Sequence, residues 1–159
     1  MILKTLLGSL AACLALTAAM AYIIRDSAVP LIFLYPQEVQ DIVVGEGLST
    51  PEQIRKNGMK FTGIMYVILF GGLFFTWHLT GAQSFSDCWW QTVAFIWFYN
   101  LYDALIIDAY WVRKTGAWQI PGAEGMDYIP YGSKTKARIA LMIIALPLAA
   151  VIAWLYTRL

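Results

Sequence analysis

The sequence predicts an all-α protein, a four-transmembrane-helix bundle with a short interfacial helix in its first connection and an irregular third connection. Three observations carry that expectation. Of 159 residues, 60% are hydrophobic and 13% are charged, against about 45–50% and 25% in soluble domains. Mean hydropathy is +0.62. The apolar residues also collect into four runs, roughly 2–24, 60–80, 89–112 and 138–157, each near the ~20 residues that a helix needs to cross a bilayer. A net charge of +1 leaves no basic footprint for nucleic acid. The expected partner is the lipid bilayer, and the chain reads as one membrane domain over residues 1–159.

The first run begins Lys4, then Leu6 to Ala18, then Ala19-Met20-Ala21. That order imitates a secretory leader with its cleavage site. The run continues to Ile24, long enough to span, and reads as a permanent helix. Cys13 lies inside it and Cys88 beside Trp89 and Trp90 at the start of another run. Both read as small packing residues, because their depths differ by more than a disulfide allows.

The first connection, Arg25 to about Met59, has structure of its own. Val39, Ile42 and Val43 follow Pro36 at helical spacing, which predicts a short amphipathic helix on the membrane surface, ended by Gly45 and Gly47. Thr50-Pro51-Glu52-Gln53 is a helix start, with Thr50 as N-cap, Pro51 at N1 and Gln53 at N3. The second long helix is therefore expected to begin near residue 51. The third connection, Arg113 to Ala137, holds Pro121, Gly122, Gly125, Pro130 and Gly132 and reads as an ordered irregular loop.

Basic residues set the orientation. Arg25, Arg55, Lys56 and Lys60 lie in connection one, and Arg113, Lys114, Lys134, Lys136 and Arg138 in connection three, against Lys4 and Arg158 on the other side. This predicts a bacterial cytoplasmic (inner) membrane protein with connections one and three in the cytoplasm and both termini outside. Trp77, Trp89, Trp90, Trp154 and Tyr156 would mark the outer interface, and Tyr22, Tyr110 and Trp111 the inner one. Ala11, Ala15 and Ala19, like Ala145, Ala149 and Ala153, form small-xxx-small ridges suited to close helix packing. The less favoured alternative is a homodimer seam. Pro147 is expected to bend the fourth helix.

The third run carries the chemistry. Asn100, Asp103 and Asp108 fall within an arc of about 140° at 100° per residue, leaving the opposite face apolar. With the span centred near Asn100, Asp103 lies ~4–5 Å from the midplane and Asp108 ~12 Å. No Lys or Arg is expected within any span to answer Asp103. An acid near the centre costs about 2.5–3.5 kcal/mol, so Asp103 must be protonated, wrapped in hydrogen bonds or turned toward a cavity. Asn100, Tyr99 and Tyr102 are its expected neighbours. Asp108, nearer the interface, reads as an ion pair with Arg113 or Arg25, or as a relay from Asp103 to the cytosol.

Secondary candidates are weaker. His78, the one histidine, stands beside Trp77 at a helix end and reads as an interfacial polar residue before it reads as an acid or base. Gly122 and Gly125 flank Glu124 and suggest backbone angles that aim its side chain. A solvated turn is the plainer reading. If that loop folded back, Asp108, Glu124 and Asp127 would meet near Arg113 and Lys114. The spacing matches no metal motif, and neither a metal nor a cofactor is expected.

Phe98 to Asp108, followed by Ile120-Pro121-Gly122-Ala123-Glu124-Gly125-Met126 and an aromatic residue, together with Tyr35-Pro36, resembles a group of small bacterial four-span integral membrane proteins. These share a Y-D-x4-D helix and an I-P-G-x-E-G-M loop. The resemblance implies the four-span fold and brings neither catalytic residues nor a substrate. Three functions stay open. The first is binding or transport of a proton, cation or small polar ligand at the intramembrane acid, in the manner of small dimeric proton-coupled exporters, although those carry a first-helix glutamate that is absent here. The second is an enzyme on a lipid or isoprenoid substrate, with Asp103 and Asp108 as acid and base. The third is an accessory or assembly subunit.

Overall fold

A computed structural model describes residues 1–126, 128 and 131–158, with the backbone alone described at 131–133. Its helices are α1 (Ile2–Ile23), α2 (Gln37–Gly45), α3 (Pro51–Thr80), α4 (Phe85–Tyr102) and α5 (Tyr131–Arg158). α4 runs on without a break as a wider π-type helix, Asp103–Val112. Short 3-10 turns occupy Val29–Leu34 and Gly116–Trp118. Among the described residues there is no strand. Four helical stretches of the described residues are long and apolar enough to cross a membrane: Ile2–Ile23, Pro51–Thr80, Phe85–Val112 and Lys134–Arg158.

The helix starts follow local chemistry. Thr50 accepts a hydrogen bond from the Gln53 N–H with Pro51 beside it, so α3 begins well before its apolar run. Ser84 caps α4 by accepting from the Asp87 N–H and donating to its carboxylate, an exchange that satisfies one of the four free N–H groups at a helix start. α3 ends at Gly81, whose φ of 72° is the left-handed conformation that glycine adopts without a Cβ clash.

The long helices pack in the order α3, α1, α4, α5. α1 and α3 cross closely. A Cβ added at Gly72 would stand 2.5 Å from the Ala12 Cβ, and one added at Gly8 would strike the Thr76 side chain. The α1 contact face is therefore Thr5, Gly8, Ala12 and Leu16, whereas Ala11 and Ala15 are exposed. This corrects the alanine ridge expected on α1: the crossing needs the smallest surface, and glycine supplies a smaller one than alanine. The α5 ridge is the packed one, with Ala145, Ala149 and Ala153 fully buried. On the α4 side, Trp89 and Trp97 donate to the Leu146 and Met142 carbonyls, 3.1 Å each, just ahead of Pro147. Trp77 is 1% exposed, and its ring lies tilted against that of Tyr156 with centroids 4.4 Å apart. It is a core residue that joins α3 to α5, not a member of an aromatic belt.

The two long connections fold together across one end of the bundle, termed here the connection end. Tyr35 donates to the Trp118 carbonyl at 2.7 Å, and its ring meets those of Trp118 and Tyr128. Val39 and Val43 of α2 are fully buried in the same cluster as Ile120 and Ala123, and Gly122 packs on Ile42. The apolar stripe of α2 is thus used against the third connection, a tertiary contact that competes with any membrane surface for the same face.

Candidate functional site

Asp103 opens the π-type stretch and Asp108 lies at its middle. A helix closed at i→i+5 takes more residues per turn than one closed at i→i+4, so a five-residue step comes nearer to a full turn. The two carboxylates, ~140° apart on an ordinary α-helix, are drawn to one side. Arg138 meets them both: its Nη2 donates to Asp103 Oδ2 at 2.7 Å and to Asp108 Oδ2 at 2.6 Å. Lys134, one turn earlier on α5, donates to Asp108 Oδ2 at 3.3 Å.

This corrects the expectation that Asp103 has no cation within a span. Lys134 precedes the apolar run and Arg138 stands at its first position, so both look like loop-end cations, yet α5 begins at Tyr131 and places both within its helical part. They lie four residues apart, on one face. Asp108 takes Arg138 and Lys134 as partners in place of the expected Arg25, which pairs with its neighbour Asp26 at 3.0 Å. Burial grades the network. The side chains of Asp108, Arg138 and Asp103 are 6%, 19% and 35% exposed.

Two cavities share Asp103 and Lys134 as walls. One, of about 140 Å³, lies beneath the connections and is lined by Tyr35, Trp118, Tyr128, Asp103, Asp108 and Lys134. The other, of about 330 Å³, lies between α3 and α5, with Phe61 and Met65 on one wall, Arg138 and Leu141 on the other, and Asn100 and Asp103 behind. α3 and α5 meet at the far end through Trp77, Phe74 and Tyr156. Two donors in these walls are buried without a hydrogen-bond partner among the described residues: Asn100 Nδ2 beside the larger cavity and Trp118 Nε1 beside the smaller. Such groups cost about 1–3 kcal/mol each when unpaired. Burial, with the neighbouring Tyr128, also pushes the Tyr35 phenol above its ordinary range.

The remaining sequence candidates divide. Asn100 and Tyr99 line the larger cavity. Tyr102 turns away: Thr17 Oγ1 donates to the Cys13 carbonyl, so the Tyr102 hydroxyl donates to Thr17 at 3.1 Å and ties α4 to α1. Gly122 and Gly125 have φ of 80° and 85° as expected, but Glu124 folds back to accept from the Gly122 N–H at 3.2 Å and is exposed, so it does not join Asp108. Asp127 lies outside the described residues. Arg113 is exposed just past the π-type stretch, and His78 is exposed in the last turn of α3, at the opposite end of the bundle from Arg138. Among the described residues no three His, Cys, Asp or Glu side chains gather as a metal site. Cys13 and Cys88 are buried free thiols. Lys134 and Arg138 are the site residues that sequence reasoning missed. The signal was their i, i+4 spacing just ahead of an apolar helix.

No family model, curated protein or solved structure matches the chain.

Proposed function

We propose that this is an integral membrane protein that binds a small polar ligand at the Asp103–Arg138–Asp108 network. One observation carries the reading: a guanidinium clamped between two carboxylates borders a 330 Å³ cavity that also holds the unpartnered Asn100 amide. Buried polar networks are costly unless satisfied, and a ligand would supply the missing acceptor. A free metal cation is less favoured than a neutral or zwitterionic molecule, because Arg138 and Lys134 already neutralise both acids. The membrane is taken to be the bacterial cytoplasmic membrane. The excess of Lys and Arg at the connection end favours a cytoplasmic position for connections one and three, which reporter fusions at the termini and at connection three would check.

Native mass spectrometry of protein released from its own membranes tests the binding reading. Wild type should carry a single-mass adduct that Arg138→Met loses and Asn100→Leu reduces. An adduct-free wild type would overturn it. An enzyme on a lipid or isoprenoid substrate, with Asp103 and Asp108 as acid and base, is the second reading, favoured by the position of the cavity between two helices. It requires that Asp103→Asn retain the adduct and change its chemical fate.

A further inference from the structure

We infer that the ligand of this site is an uncharged amphiphile with a hydrogen-bonding head, of the long-chain alcohol, isoprenol or acylglycerol class, that enters sideways between α3 and α5. The inference rests on the binding reading above and adds the ligand's class and route.

The route comes from the packing order. α3 and α5 stand at the two ends of the helix row and touch through Tyr156 at the far end. Toward the connection end the cavity separates them. Its rim residues Leu34, Ala137 and Leu141 are exposed, while Asn100 at its back is 6% exposed. A molecule coming from the hydrocarbon phase meets Ala137 and Leu141 at the exposed rim first, then Met65 and the buried Phe61, and the polar groups at the back last. A volume of about 330 Å³ is at the low end of the ~300–1,000 Å³ typical of ligand cavities. It holds a head and its first carbons, with the tail left between the helices.

The class comes from charge and from free hydrogen-bonding groups. Asp103 and Asp108 balance Arg138 and Lys134. An ionic head would therefore leave a net charge in an apolar setting, which is expensive, and a neutral head would not. Arg138 uses only its Nη2 toward described residues out of five N–H donors, and Asn100 Nδ2 donates to none. Toward the described residues Asp103 engages Oδ2 and keeps Oδ1 as an acceptor. A hydroxyl both donates and accepts, so one hydroxyl can bridge Asn100 or Arg138 to Asp103 without breaking the ion pairs.

The test uses the full chain in lipid nanodiscs and a diazirine-bearing long-chain alcohol, with a diazirine-bearing alkyl phosphate of equal length beside it. The alcohol should label Phe61, Met65 or Leu141, compete with unlabelled alcohol, and lose about tenfold in Ala137→Trp, which fills the exposed mouth. Asn100→Leu should weaken labelling about fivefold, as expected for one lost hydrogen bond. Val67→Trp, on an exposed part of α3 outside the cavity lining, should change nothing. Labelling by the phosphate equal to or above that by the alcohol would overturn the uncharged class while leaving the binding reading in place. Labelling spread evenly over the lipid-facing surface, or unaffected by Ala137→Trp, would overturn the lateral route. If in addition wild type carries no adduct, the binding reading falls with it.

Discussion

Arg138 Nη2 lies 2.6 Å from Asp108 Oδ2 although the two residues are 30 positions apart. The contact joins α5 to the π-type continuation of α4, and the same nitrogen reaches Asp103. Removing the guanidinium leaves Asp103 without its cation and Asp108 with Lys134 alone. Arg138→Met should cost about 3–5 kcal/mol, the range for breaking a buried ion pair by deleting one partner, read as thermal unfolding in detergent. Asp108→Asn should cost more than Asp103→Asn, because Asp108 is 6% exposed and Asp103 35%. Equal losses would contradict the burial order.

The α1–α3 crossing gives a paired experiment within adjacent residues. Gly72→Ala places a methyl 2.5 Å from the Ala12 Cβ, and overpacking of this kind costs about 1–3 kcal/mol. Gly71→Ala meets nothing within 4 Å and should be neutral or slightly stabilising, since alanine is the better helix former by about 1 kcal/mol. Unfolding midpoints of the two variants should move apart.

Tyr35 links the two connections, and its phenol is raised from an ordinary value of 10.0. A raised folded pKa means that the folded state holds its proton more tightly than the unfolded state. The contribution is full below pH 10 and is lost as pH rises through the folded value. Protease cleavage within the connections should therefore increase above about pH 10, and Tyr35→Phe should remove that pH dependence. At neutral pH Tyr35→Phe should itself cost about 1–2 kcal/mol, because the buried Trp118 carbonyl loses its donor.

Ser84 tests the start of α4. Ser84→Ala deletes an acceptor for the Asp87 N–H at 3.1 Å and should destabilise by about 1 kcal/mol. Ser84→Asp should restore most of it, measured by the same unfolding assay.

Much of the architecture was legible in the chain because its signals are local. Apolar run length marked all four long helices, Thr50-Pro51 marked where α3 begins, and Gly122 and Gly125 marked positive φ. The acids of the candidate site were legible too, since a carboxylate in an apolar run stands out. Their partners were not. Lys134 precedes the apolar run of α5, Arg138 stands at its edge, and both look like ordinary loop cations. The π-type widening that turns Asp103 and Asp108 to one side has no signature in the spacing of apolar residues.

Sequence by itself determined which segments are helices, where several of them start and stop, and which acids must find compensation, because each depends on neighbours within a few positions. Tertiary structure alone decided which cation answers those acids, which face of α1 is packed, and what the stripe of α2 covers. Those outcomes depend on which surfaces approach most closely across long loops, and helix period does not encode the distance between one helix and the next.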